Sequence, residues 1–149
     1  MFQRILIPTD GSKRSSTALR AAIDVARMSG GTLIALHVVP PEKPDANLPA
    51  ADDFGALPIA NEAGDRRAPE RDVALGKAKS AACDAGIALE AERRVDSQPA
   101  HAIVDAAEQH HCDLIVMASH GYGDILSIVV GSTTAKVVSG CDVPVLVVH

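Results

Sequence analysis

Aromatic side chains are nearly missing from this sequence: among 149 residues only Phe2, Phe54 and Tyr122 carry a ring, and there is no tryptophan. Yet 47% of the residues are apolar, so a core has to be built from Ala, Val, Ile and Leu. Such short side chains suit helices lying close against a sheet. The scarcity of stacking aromatics, a net charge of -5 and the lack of a basic stripe exclude a nucleic-acid-binding surface. No apolar run reaches the roughly 18 residues of a membrane span. The start, "MFQRILIPTDGS", has no long apolar stretch and no cleavage site, so it does not read as a secretory signal. Cys83, Cys112 and Cys141 are odd in number, widely spaced and without a CxxC pair, which points to reduced thiols and a cytoplasmic protein.

What is present alternates regularly. "RILIP" is a short apolar run stopped by a proline, the mark of a buried strand. In "GSKRSSTALRAAIDVARMSGG", Ala18, Leu19, Ala22, Val25 and Ala26 fall at helical spacing, with Ser12 or Ser15 as N-cap and Gly30 as C-cap. "TLIALHVV" is apolar without alternation, as in a parallel strand covered on both faces. Residues 40–69 hold six of the nine prolines and show no period, so they read as a long loop, either a passive tether or a lid. "APERDVALGKAKSAACDAG" is a second helix, with Pro69 in its first turn and Gly86 as C-cap. "IALEAERRV" alternates, which places it at a sheet edge. A third helix, opened by Ser97 and Pro99, then "CDLIVMAS", a short helix "STTAKVVSG" closed by Gly140, and "DVPVLVV" complete the order. The expectation is one α/β domain over residues 1–149. It should be a doubly wound five-stranded parallel sheet in the order 3-2-1-4-5, with helices on both faces.

Ligands of such sheets bind beyond the carboxyl ends of the strands. Two stretches end there. In "MASHGYGDILSIVVGST" a strand leads through two glycines to a helix beginning near Gly131, Ser132 and Thr133. Free amides and hydroxyls at a helix start suit an anion, while Gly121 lets backbone approach a ligand. The same pattern also suits a plain capping loop. Asp10, in "PTDGS", leaves the first strand toward the same crevice. It either caps the first helix or meets a ribose hydroxyl or a divalent ion bridging to phosphates. His110, His111 and Cys112 are adjacent rather than convergent, so no metal site is expected there. Ser119 and His120 lack an orienting acid and a GxSxG elbow, so no nucleophilic catalysis is expected. "SGG" at residues 29–31 reads as a helix end, and His37 as a satisfied histidine of the core or its rim.

"ILIPTDGS", "LHVV", "DLIVMASHG", nine residues after Gly121, "GS", and finally "VPVLVV" together resemble the universal stress protein family. The ATP-binding branch of that family carries Gly, two residues, Gly, nine residues, then Gly and Ser or Thr. Gly121, Gly131 and Ser132 fit; Ala118 stands where the first glycine would be. At a positive φ that alanine would cost about 1 kcal/mol, and crowding a ligand would cost about 1–3 kcal/mol. The resemblance implies ATP as ligand, with Mg²⁺ held through Asp10. It places Pro8, Thr9 and Asp10 around adenine and ribose, Val38 against adenine, and Gly121, Gly131, Ser132 and Thr133 at the phosphates; Ala118 stands at a backbone contact to ribose or phosphate, and His120 either touches a phosphate or faces solvent. It also implies a homodimer paired through the strand at Val143–Val148, acting in stress response through conformation or association, with at most slow ATP hydrolysis. A dimeric stress protein that binds no nucleotide and works by protein interaction is the alternative.

Overall fold

The first apolar run of the sequence becomes β1 (Arg4–Pro8), whose Ile5, Leu6 and Ile7 are fully buried. The structure, a computed structural model, describes residues 1–41, 72–119 and 131–149. Among these, α1 (Lys13–Ser29), β2 (Thr32–Val39), α2 (Val73–Asp84), β3 (Leu89–Val95), α3 (Pro99–Gln109), β4 (Leu114–Ala118), α4 (Ser132–Gly140) and β5 (Val145–Val148) follow in turn. The five strands form one parallel sheet in the order β3-β2-β1-β4-β5, as the alternating pattern predicts. Register aligns Ile5 with Leu33 on one side and with Leu114 on the other.

Strand periodicity sorts the core into two layers. Ile5, Ile7, Leu33, Ala35, Leu114 and Val116 face α1 and α2, whereas Leu6, Ile34, Leu36, Ile115 and Met117 face α3 and α4. Each fully buried Ile, Leu or Val contributes about 1.5–3 kcal/mol. The helices answer with alanine: Ala18, Ala22 and Ala26 in α1, Ala78 and Ala82 in α2, Ala102, Ala106 and Ala107 in α3, all buried. Their small side chains bring helix backbones near the sheet, and this is how a core without tryptophan closes.

Two glycines are fixed by geometry. Gly11, between β1 and α1, has φ +78°, and a Cβ there would press on Ala74 of α2 at 3.2 Å. At Gly31 a Cβ would meet the Phe2 carbonyl at 2.6 Å, so the "SGG" stretch is a helix end packed under the first residues of the chain. Gly30 caps α1 at φ +67°, and Ser12 is its N-cap, accepting from the Ser15 amide.

Some helix boundaries differ from the sequence expectation. The second helix starts at Val73, past Pro69, because Asp72 is its cap: the carboxylate accepts from the amides of Ala74 and Leu75. Its C-cap is Ala85, and Gly86 follows at φ +69°. Gln98, not Ser97, is the N-cap of α3, with Pro99 in the first turn. Gly140 is the last residue of α4 and Cys141 the cap. The loop at residues 40–69 lies almost wholly outside the described residues.

The two sheet edges differ in kind. β3 presents Glu92 to Arg94, whose Nε and Nη2 donate to Oε1 at 2.9 and 2.6 Å, with His110 Nε2 at 2.7 Å from Oε2. β5 is Val-Leu-Val-Val; Leu146 is 39% exposed, and Val138 of α4 is half exposed.

Candidate functional site

A cavity of about 190 Å³ opens at the carboxyl edge of the sheet, room for roughly a dozen waters. It sits where β1 and β4 part, the point at which chain connections leave toward opposite edges and helices toward opposite faces. One wall is apolar: Pro8, Leu36, Val38, Ile103 and Met117. The other carries Thr9, Asp10, Ser12, Ser15, Thr133 and Thr134.

The polar wall is organised by the start of α1. Thr9 Oγ1 donates to Ser15 Oγ at 3.3 Å and accepts from the Gly11 amide; Ser15 Oγ passes the chain to the Ser12 carbonyl at 2.9 Å. Asp10 Oδ1 accepts from the Ser12 amide at 2.9 Å. Burial pushes the Asp10 carboxyl up, but hydrogen bonds from Ser12 and Ser15 more than offset this and leave it below its ordinary 3.8. Asp10 is therefore an anion at neutral pH. It serves both expected roles at once, bracing the α1 turn while lining the cavity.

Opposite, α4 begins differently. Gly131 is its N-cap, with no side-chain capping bond, and the Gly131 amide donates to the Ser119 carbonyl at 2.6 Å. The Thr134 hydroxyl donates to the Ala118 carbonyl at 3.0 Å, fastening the helix to the end of β4. Thr133 and Thr134 in the first turn of α4 line the cavity.

Of the residues singled out in the sequence, Pro8, Thr9, Asp10, Val38, Ala118 and Thr133 line one cavity. Gly131 and Ser132 stand just outside the lining, and His120 and Gly121 fall outside the described residues. Ala118 pairs with Val148 in β4 and does not have a positive φ, so the conformational cost allowed for above does not arise. Only its methyl, at the cavity wall, bears on a ligand. Sequence reasoning missed Ser12, Ser15, Leu36, Pro99, Ile103, Met117 and Thr134 as cavity residues. Strand alternation links Leu36 to Val38, and the four-residue helical step links Pro99 to Ile103, so a signal was there for some of them.

Two side clusters are closed. His37 Nδ1 lies 2.6 Å from Asp72 Oδ2, with Arg93 Nε 3.8 Å away on the same oxygen; His37 is thus a partnered histidine. Burial pushes the Cys112 thiol up to about 11, so it is inert, and His110 is engaged by Glu92. Among the described residues no three His, Cys, Asp or Glu side chains converge as metal ligands.

The profile of the Universal stress protein family matches residues 1–149. The chain belongs to the universal stress protein family. Universal stress protein MJ0531 of Methanocaldococcus jannaschii is 34% identical over 148 residues, covering 99% of this chain and 82% of that one. The solved structure of MJ0577, a universal stress protein of the same organism, superposes with a TM-score of 0.76 at 28% identity, covering 99% and 96% of the two chains. Another universal stress protein, solved in complex with cAMP, gives a TM-score of 0.69 at 26% identity, covering 99% and 97%. No helix among the described residues is long and apolar enough to cross a membrane.

Proposed function

We propose that this universal stress protein binds an adenine nucleotide in the cavity between β1 and β4, ATP with Mg²⁺ among its ligands, and acts in stress response through ligand-linked conformation or association. One observation carries the reading: a single cavity joins an apolar slot, the polar groups at the start of α1 and the first turn of α4. The slot of Val38, Ile103 and Met117 suits a purine face, Thr9 and Asp10 suit ribose hydroxyls, and the first amides of α4 beside Thr133 suit phosphate. The relative solved with cAMP supports the ligand class. Asp10 is the carboxylate that would hold Mg²⁺. Among the described residues the cavity offers no second carboxylate, so besides Asp10 the ion would be held by phosphate oxygens and water. Calorimetry with ATP and Mg²⁺ tests this: binding in the micromolar to millimolar range is expected, and no heat at about 1 mM ligand for either the native chain or Ala118→Gly would sink it.

The rival reading, a nucleotide-free interaction protein, draws on the apolar β5 edge. Pairing of two chains through Val143–Val148 is part of either reading. Deleting Val145–His149 should yield monomer or insoluble protein, and an unchanged dimer by light scattering would rule this pairing out.

A further inference from the structure

The hydroxyls at the start of α1 keep their protons inside the protein, which bears on the sugar of the ligand, an inference that rests on the adenine-nucleotide reading above. Thr9 and Ser15 are buried, and both line the cavity with Ser12. The Thr9 backbone is fixed to β2 by its amide, which donates to the Leu36 carbonyl at 2.8 Å. The Thr9 hydroxyl donates to Ser15 Oγ at 3.3 Å, and the Ser12 hydroxyl donates to the same oxygen at 3.3 Å. Ser15 Oγ in turn donates to the Ser12 carbonyl at 2.9 Å. A hydroxyl has one proton and two lone pairs, so Ser15 is filled and acts on a ligand through its neighbours. The Ser12 and Ser15 hydroxyls also help to hold the Asp10 carboxyl low, and a proton turned that way is equally spent within the wall. Thr9 Oγ1 takes the Gly11 amide on one lone pair, and Ser12 Oγ takes the Ser15 amide on one of its own. What these oxygens have left to offer is a second lone pair each, beside a carboxylate that accepts and does not donate.

We infer that Ser15 is a positioning residue: it draws in the Thr9 proton, so that Thr9 joins Asp10 as an acceptor and the wall selects a ligand whose sugar hydroxyls donate. The favoured chemical class is a ribofuranoside with its vicinal diol intact. A deoxy sugar leaves an acceptor of this wall facing no donor, in a place partly closed to water, and binds more weakly for that reason.

The test is calorimetry on the full chain with adenosine, 2′-deoxyadenosine and 3′-deoxyadenosine. Adenosine should bind about tenfold tighter than the weaker of the two deoxy forms. Ser15→Ala frees the Thr9 proton to turn toward the cavity and should cut that ratio to about threefold. A change in helix stability alone would weaken all three nucleosides together and leave the ratio as it was. Thr9→Val removes the acceptor itself and should cut the ratio by a similar factor. Adding Ser15→Ala to it should cut the ratio no further, since Ser15 acts through Thr9 and the Ser12 proton still has Asp10 to turn to. Circular dichroism establishes that each variant is folded, and Thr9→Val decides should Ser15→Ala fail to fold. Equal affinity for the three nucleosides, a ratio unchanged in either single variant, or a further fall in the double variant overturns the role of Ser15 while leaving the adenine site standing. No heat with any of the three overturns the inference, and no heat with ATP and Mg²⁺ besides overturns the adenine reading as well.

Discussion

Four helices begin at the carboxyl edge of this sheet, and they do not begin alike. Three are supplied with a carboxylate by their own chain: Asp10 holds the Ser12 amide before α1, Asp72 holds Ala74 and Leu75 in α2, and Asp96 holds the Gln98 amide before α3. The fourth, α4, begins at Gly131 with hydroxyl residues and no side-chain cap. A helix start is a place for negative charge. Among the described residues, side chains reach first-turn amides only in α1, through Ser12, and α2, through Asp72; α3, like α4, has no side-chain cap, and Asp96 holds only the amide of its N-cap Gln98. Where the chain leaves a start open, stability is forgone and a ligand can supply the charge instead. The contrast bears on the proposed site, because the starts of both α1 and α4 border the cavity.

Asp72→Ala attacks the most completely filled start and should have the largest effect. The variant loses the cap and leaves Arg93, 8% exposed, without its acid, at a cost of about 2–4 kcal/mol measurable by urea unfolding. Burial raises the Asp72 carboxyl, but hydrogen bonds from His37 and the α2 amides bring it below the ordinary 3.8. A carboxyl lowered on folding stabilises above its unfolded value, and that stability disappears as pH falls through the folded value. The native protein should therefore lose stability on acidification below about pH 4, and Asp72→Asn should lose part of that dependence; identical acid-unfolding profiles would count against the pairing.

Gly131→Val closes the open terminus. The backbone there is at φ -55°, ψ 150°, which valine tolerates, so the fold should survive while the branched side chain obstructs ligand approach. Overpacking of this kind should weaken nucleotide binding by about 5–150-fold in calorimetry. Unchanged affinity would show that α4 is a structural start.

Ala118→Gly opens the wall beside it. Since Ala118 lies in extended strand, the change removes only a methyl from the cavity, and affinity should rise by up to about tenfold. A glycine at the strand end should also cost about 0.5–1 kcal/mol of stability. Tighter binding in a less stable protein is the expected signature; looser binding would mean that the methyl contacts the ligand favourably.

Ser12→Ala, the smallest change, tests a filled start with mild consequences. Losing the bond from the Ser15 amide should lower stability by about 1 kcal/mol, seen as a lower melting temperature. A loss of binding much greater than the loss of stability would assign Ser12 to the ligand as well as to the helix.

The sheet order, both edge strands and the composition of the core were legible in sequence, because unbroken runs such as "RILIP" and "LIVMA" and the alternation in "LEAERRV" report burial directly. Helix starts were less so. Pro69 suggested an early beginning for α2, yet the carboxylate three residues later decides it by accepting from the Ala74 and Leu75 amides, and that carboxylate also meets His37, thirty-five residues away in the chain. The cavity was half legible. Residues at strand ends, such as Thr9, Asp10 and Ala118, carry a positional signal. Ile103 and Met117 look like any core residue until the fold shows that the core opens beside them.

The unequal edges of the sheet have a consequence for stoichiometry. A strand edge bearing Glu90, Glu92 and Arg94, with His110 and Arg4 bonded or ion-paired to those acids, is a poor template for further strands. The Val-Leu-Val-Val edge on the opposite side is a good one. If two copies pair through β5, as proposed above, growth stops there, because each outward edge of the joined sheet would be a β3. Such assembly would be self-terminating, and a charge-removing change at β3, such as Glu92→Val, would convert a finite object into one able to polymerise.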